Sequence, residues 1–161
     1  MEIEMTVKMA TVDPASGMHM VVLRDDEGQH TLPIVIGPSE AAAITLQMEK
    51  VEMPRPLTHD LLKLLIEALG ARVERIVVCD LRENTFFAEI HLKTAGGKVV
   101  VDARPSDAIA LALRTESKIF VDEKVIRTTH SAEKSHSPID IGLVQRYLEN
   151  LPDDELGKYK M

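Results

Sequence analysis

Arg104-Pro105-Ser106-Asp107-Ala108-Ile109-Ala110-Leu111-Ala112-Leu113-Arg114 reads as a helix with no face it can give to water. Proline is tolerated in a first helical turn and nowhere deeper. A hydroxyl at Ser106 as N-cap and an acid at Asp107 then stand where the first N–H groups lack partners. From Ala108 to Leu113 every side of the cylinder is apolar. A helix on a protein surface keeps a polar stripe, and one that is apolar all round is enclosed. The rest of the chain must therefore cover this segment on several sides.

The sequence around it supplies that cover. Just upstream, residues 73–81 and 85–92 read as strands joined around Glu83-Asn84, and Gly96-Gly97 turns into a third run at residues 98–102. Further back, residues 59–69 form a helix whose polar residues Asp60, Lys63 and Glu67 fall on one narrow stripe, so it is expected to be mostly buried, and Gly70 ends it. Met53-Pro54-Arg55-Pro56 separates that helix from an earlier one over residues 41–48, with Ser39 as its N-cap and Glu40 complementing its dipole. At the start, residues 5–12, 18–23 and 29–36 are apolar runs divided by Asp13-Pro14-Ala15-Ser16-Gly17 and Arg24-Asp25-Asp26-Glu27-Gly28, which predicts a three-stranded meander. Downstream, a short strand at residues 119–121 is followed by a shift to polar composition over residues 127–137. That shift places a boundary after residue 126. Residues 127–161 are expected to be a polar linker, a last helix from Ser137-Pro138 to Leu148 or Leu151, and an acidic tail from Pro152.

Composition narrows the function classes. A chain of 161 residues favours one domain, and 19 Lys+Arg against 26 Asp+Glu leaves a formal charge of −7. Affinity for phosphate backbones comes largely from clustered cations, so a long basic strand-binding surface is excluded. Aromatics make up only 3% of residues, too few for a base-stacking platform. The single Cys79 has no intrachain disulfide partner. No apolar run reaches the ~20 residues that span a bilayer, and the opening Met1-Glu2-Ile3-Glu4 is acidic where a secretory leader is basic. The expectation is a soluble cytoplasmic protein without membrane contact.

Two segments share a grammar: Arg55-Pro56-Leu57-Thr58-His59-Asp60 and Arg104-Pro105-Ser106-Asp107 each give Arg-Pro, a hydroxyl N-cap, then an acid opening an apolar helix. Helix capping alone accounts for Thr58, Asp60, Ser106 and Asp107. The arginines need an acceptor or water, which Asp60 and Asp107 offer. In the functional reading Arg55, His59, Asp60, Asp102, Arg104 and Asp107 converge at the mouths of two helices and handle a phosphodiester. Carboxylates would hold a divalent cation, arginines would offset charge developing on phosphorus, and His59 would move a proton. The competing reading is a buried structural ion-pair network. His130 and His136 flank Glu133 in a polar stretch that reads as a solvated loop, His19, His30 and His91 as surface or satisfied histidines, and Cys79 as a small buried hydrophobe.

Four motifs in order carry a resemblance: Leu32-Pro33-Ile34-Val35-Ile36-Gly37 with Glu40-Ala41, then Arg55-Pro56-Leu57-Thr58-His59-Asp60, Thr85-Phe86-Phe87-Ala88, and Asp102-Ala103-Arg104-Pro105-Ser106-Asp107-Ala108-Ile109-Ala110-Leu111. Together, over residues 5–126, they resemble the bifunctional nuclease family, whose plant members are credited with cutting both RNA and DNA. Phe87 stands where many relatives place Tyr, so a hydroxyl there is dispensable. The resemblance implies a compact α+β domain with a mixed, largely antiparallel sheet packed against helices, to which the residues themselves add the C-terminal helix from Ser137, and it implies self-association into a homo-oligomer. It also implies hydrolysis of phosphodiester bonds in RNA and single-stranded DNA. Chemical inference placed on the motif positions assigns His59, Asp60, Asp102 and Asp107 to catalysis. It assigns Arg55, Arg104, Thr58 and Ser106 to substrate binding, and Glu40, Asp60 and Asp107 to a divalent cation, Mg or Mn. The alternatives are a noncatalytic protein-binding or assembly module and a sensor of a phosphorylated small molecule, to which the acidic surface and the helix mouths respectively lend themselves.

Overall fold

The computed structural model describes residues 1–132 together with Arg146. Its elements, in chain order, are β1 (Glu2–Val12), β2 (His19–Arg24), β3 (Thr31–Val35), α1 (Pro38–Met48), α2 (Thr58–Ala68), β4 (Arg72–Arg82), β5 (Thr85–Thr94), β6 (Gly97–Ala103), α3 (Pro105–Thr115), β7 (Lys118–Asp122) and α4 (Glu123–Ala132). The strands form one seven-stranded sheet in the order β3-β2-β1-β7-β4-β5-β6. All neighbours are antiparallel except β4 and β7. The fold is α+β, as expected, with the meander at one end and the β4–β5–β6 run at the other.

β1 holds the two halves together because it is long enough to pair twice. Its first residues pair with β7, Met5 lying opposite Ile119, and its remainder pairs with β2. A bulge between Val7 and Met9 divides the two pairings. At the other end, Glu83 and Asn84 both take positive φ, 49° and 59°, which is the two-residue hairpin geometry that matches strand twist.

β6 and β7 both run parallel to β4, so the chain between them must cross over the sheet, and α3 is that crossover. It packs against β4, β5 and β7 below and between α1 and α2 on its flanks. Ala108, Ile109, Ala110 and Leu111 are wholly buried, which is the enclosure its sequence requires. Alternating alanines let neighbouring backbones approach, while Ile109 and Leu111 fill the core with Ile76, Val78, Ala88, Val21, Leu23 and Leu32. Burying each large side chain contributes about 1.5–3 kcal/mol.

Three expectations change. First, α2 is not mostly buried. It is the outer helix of the layer, and one face turns His59, Leu62 and Ile66 inward. Leu61, Leu64, Leu65 and Leu69 are about half exposed or more, at 50, 47, 52 and 84%. Second, the N-caps are Gly37, Leu57 and Arg104, so Ser39, Thr58 and Ser106 lie inside the first turns and none caps its helix with its side chain. Proline at the first helical position fixes where α1 and α3 begin and shifts the cap back to the residue before it. Third, the polar stretch beyond residue 126 opens within α4, which buries Val125 and Ile126 and packs against β4, β7 and β3. His130 is therefore helical. His136, the helix expected from Ser137 and the tail from Pro152 lie outside the described residues.

Among the described residues no helix is long and apolar enough to cross a membrane. Two strand-adjacent histidines have carboxylate partners, His30 with Asp25 at 2.8 Å and His91 with Glu89 at 3.1 Å. Burial raises the Cys79 thiol above its usual range, and its Sγ lies 3.6 Å from the Phe87 carbonyl.

Candidate functional site

Each of the three central helices carries an acid at its third position: Glu40 in α1, Asp60 in α2 and Asp107 in α3. A carboxylate there lies beside the unpaired N–H groups and the positive end of the helix dipole. Asp60 Oδ2 accepts from the Leu57 N–H at 2.8 Å, and Glu40 accepts from its own N–H. Gly37 makes room for this. A methyl group on its Cα would overlap Glu40 Oε2 and displace that carboxylate, the mobile end of a flexible side chain, while the backbone φ is an ordinary one.

The same acids collect the cations. Arg104 donates from Nε to Asp107 Oδ2 at 2.8 Å and from Nη2 to Glu40 Oε1 at 2.9 Å and Asp107 Oδ1 at 3.2 Å. His59 Nε2 lies 2.9 Å from Asp107 Oδ1. The first turns of α1, α2 and α3 thus meet in one chain, Glu40–Arg104–Asp107–His59. His59 is 8% exposed, whereas the Arg104 side chain is 64% exposed, so the chain runs from the interior to solvent.

Burial works to raise the Asp107 carboxyl, but hydrogen bonds from Arg104 and His59 and the Arg104 charge outweigh it and hold the group below the usual carboxylate range. Glu40 is lowered by its own backbone N–H and by Arg104. The two carboxylates in turn raise Arg104. An ionised carboxylate only accepts hydrogen bonds, so in the neutral ring His59 Nε2 carries the proton and Nδ1 the lone pair. No group among the described residues bonds that Nδ1.

A second arrangement lies further along α3. Arg114, 4% exposed in its side chain, donates to Asp60 Oδ1 at 2.6 Å, to the Ala110 carbonyl at 2.8 Å and to the Ala43 carbonyl at 3.0 Å. Desolvation works to raise Asp60, yet the Leu57 N–H and Arg114 leave it lowered. Arg114 was not among the residues singled out from the sequence; its signal is a cation closing a helix that has no polar face. Asp60 and Arg114 line one wall of an open cleft of about 350 Å³ with Arg55, Lys63, Leu64 and Glu67.

The expected site is therefore brought together in part. His59, Asp107, Arg104 and Glu40 form one network. Asp60 is bonded to Arg114 instead, and the exposed Arg55 lines the cleft with no hydrogen bond or ion pair among the described residues. Thr58 is exposed, Ser106 is buried, and neither hydroxyl has a hydrogen-bond partner among the described residues. Asp102 faces away. Side chains alternate along β6, and Ala103 packs on the helix-side core, so Asp102 projects from the opposite face beside Glu89. As for the Mg or Mn site, no three His, Cys, Asp or Glu side chains among the described residues gather closely enough to hold an ion. Asp60 points to Arg114, while Glu40 and Asp107 share Arg104, so this donor set does not fit a cation and none enters the steps below.

An α+β domain whose helix mouths join a histidine–carboxylate pair to an exposed arginine has the parts for acid–base chemistry on an anion. The chain belongs to the bifunctional nuclease domain family, whose profile matches residues 21–134. An uncharacterized protein of Mycobacterium tuberculosis (strain ATCC 25618 / H37Rv) is 38% identical over 161 residues, 94% of this chain and 96% of the relative. Bifunctional nuclease 2 of Arabidopsis thaliana is 30% identical over 107 residues, 64% of this chain and 32% of the plant protein. Bifunctional nuclease 1 of Oryza sativa subsp. japonica is 23% identical over 111 residues, 66% of this chain and 34% of the relative. The likeness to the plant proteins thus spans about a third of their length.

Proposed function

We propose that the protein hydrolyses phosphodiester bonds in RNA and single-stranded DNA, with His59 moving the proton, Asp107 orienting its ring, and Arg104 holding the phosphate. The observation that carries this is the buried His59, its Nε2 bonded to a carboxylate that an exposed arginine clamps. With Nε2–H donated to Asp107, the Nδ1 lone pair is the base for a water attacking phosphorus. Asp107 stabilises the imidazolium that forms, which then returns its proton to the leaving oxygen. Arg104 offsets charge developing on the phosphoryl oxygens, helped by the three helix N-termini. The names of the plant relatives support the same chemistry. Single strands suit the site because few exposed cations flank it.

A second reading has its own observation. Asp60 and Asp107 both use their two carboxylate oxygens on the protein's own donors, as a structural network does, which favours a noncatalytic assembly module. One experiment separates the two. His59→Gln keeps a donor to Asp107 but cannot take a proton, so purified variant and parent are compared on labelled RNA with and without chelator. Hydrolysis predicts a rate loss of about 10²–10⁴-fold with the thermal midpoint retained. Equal rates in parent and variant would assign the degradation to a contaminant and leave the assembly module. Loss of the parent's activity with chelator would add a divalent cation, one carried in with the substrate.

A further inference from the structure

The two edges of the sheet are built differently. β3 is five residues long and carries Pro33 at its centre, a residue with no N–H to offer a neighbour. β6 is seven residues, Gly-Lys-Val-Val-Val-Asp-Ala, has no proline, and pairs with β5 without a register shift. Its outer edge thus presents regular backbone donors and acceptors, and Val99, Val100 and Val101 are 45, 52 and 41% exposed. Edge strands normally carry devices that stop another strand from pairing, and β6 lacks proline and bulge alike.

The charges on β6 are symmetric about its middle residue in a way that fits one partner. If two copies meet antiparallel with Val100 on the two-fold axis, Lys98 lies opposite the partner's Asp102, and Asp102 opposite the partner's Lys98. Val99 then faces the partner's Val101. Within one copy each end of this face carries unbalanced charge. Lys98 lies in register with Lys93, and Lys93 with Arg72, three cations gathered around Glu74, whose carboxylate is 3.0 Å from Lys98 Nζ. At the other end Asp102 lies opposite Glu89, a like-charge pair, and Asp102 has no ion pair among the described residues. Antiparallel pairing sets the cationic end of each copy against the acidic end of the other.

The helix layer agrees. A two-fold axis perpendicular to the sheet keeps both sets of helices on one side. α1 packs over β1 and β2, α3 over β4, β5 and β7, and α2 lies against α3 and β4 as the outer helix on that side. Its Leu61, Leu65 and Leu69 are exposed, while Leu64 lines the cleft beside Arg114. From these observations we infer that the protein forms a two-fold dimer through β6, joining two seven-stranded sheets into one, with Lys98–Asp102 ion pairs across the seam. The partner is a second copy because strand pattern and charge pattern are each self-complementary about Val100.

The test uses the full chain. Sedimentation across a range of protein concentrations reads the dimer dissociation constant for parent, Lys98→Asp, Asp102→Lys and the double reversal. Each single change places like charges opposite one another twice and weakens the dimer by roughly tenfold or more, and the double reversal restores it. Both side chains are exposed, so circular dichroism should match the parent throughout. In a Cys79→Ala background, Val100→Cys puts two thiols on the axis and yields a disulfide-linked dimer on mild oxidation, whereas Val35→Cys on the opposite edge does not. A parent that stays monomeric, single reversals without effect, a double reversal that fails to recover, or cross-linking through residue 35 in place of residue 100 would each overturn the inference.

Discussion

Arg114 donates to Asp60, to the Ala110 carbonyl and to the Ala43 carbonyl, so one side chain ties α1, α2 and α3 together from within. Removing it takes a donor from one oxygen of a one-third-exposed carboxylate, which keeps the Leu57 N–H, and from two helix carbonyls, and a hydrogen bond to a charged group contributes about 1.5–3 kcal/mol. Arg114→Ala is expected to lose that much in urea denaturation. Arg55→Ala, on an exposed arginine with no described ion pair, should stay within about 0.5 kcal/mol of the parent, although both arginines adjoin apolar helices in the sequence. The acids make a second prediction. The folded carboxyls of Glu40, Asp60 and Asp107 are all held below their ordinary values, so the unfolded chain binds more protons than the folded one at acidic pH. Their stabilisation is fully present above the ordinary carboxylate value of ~4 and is lost as pH falls through the depressed folded values beneath it. Denaturation midpoints measured from neutral pH downwards should fall in that window. Asp107→Asn should be the less stable protein at neutral pH and approach the parent at the acid end. A variant with the parent's full acid dependence would mean Asp107 is not one of the linked groups.

The helices show how far a sequence can be read at the level of an element. The third-position acids were visible as Glu40, Asp60 and Asp107 following a proline or hydroxyl residue, but the residue that caps each helix was not, because proline at the first position moves the cap back onto Gly37 and Arg104. α3 was legible as an enclosed helix because six apolar residues in a row leave no alternative. α2 was misread: the same leucine-rich composition serves a helix covered on one face and bare on the other, and only its place at the end of the layer decides which. Asp102 and Asp107 are close in sequence yet face apart, because one sits on a strand whose side chains alternate and the other on the helix that follows. The β4–β5 hairpin offers a test at this scale. Glu83 holds a left-handed backbone that costs a non-glycine residue of its kind about 1 kcal/mol, and Asn-Gly is the pair that suits both turn positions. The double change Glu83→Asn, Asn84→Gly is expected to stabilise the protein by about 1 kcal/mol, seen as a higher urea midpoint with an unchanged slope. A lower midpoint would mean that the Glu83 side chain contributes more than its backbone strain.

For the molecule as a whole, the sheet order explains why so much of the candidate site comes from segments far apart in the chain. The meander leads into α1, the crossover places α3 beside it, and α2 closes the other flank, so three first turns meet although Glu40 and Asp107 are 67 positions apart (107 − 40). What they form is a site of balanced charge on an acidic protein: formal charge is −7, and Arg104, Arg114, Arg55 and Lys63 stand there with Glu40, Asp107, Asp60 and Glu67, Arg55 being the one of these cations with no ion pair among the described residues. This fixes how a nucleic acid would be held. Each phosphate neutralised on a single strand contributes about −0.7 to the slope of log affinity against log salt, so two or three contacts give a slope of about −1.5 to −2. The surrounding acidic surface repels the rest of the strand at low salt, which keeps the slope from steepening. The expectation is checked by fluorescence anisotropy of a short labelled RNA against increasing potassium chloride, using His59→Gln so that the strand survives the titration. Arg104→Gln should reduce the slope by the share of one contact, and Arg55→Gln by another if the strand enters the cleft. A slope several times steeper would require a basic track that this surface lacks, and Arg104 would then not be the group that holds the phosphate.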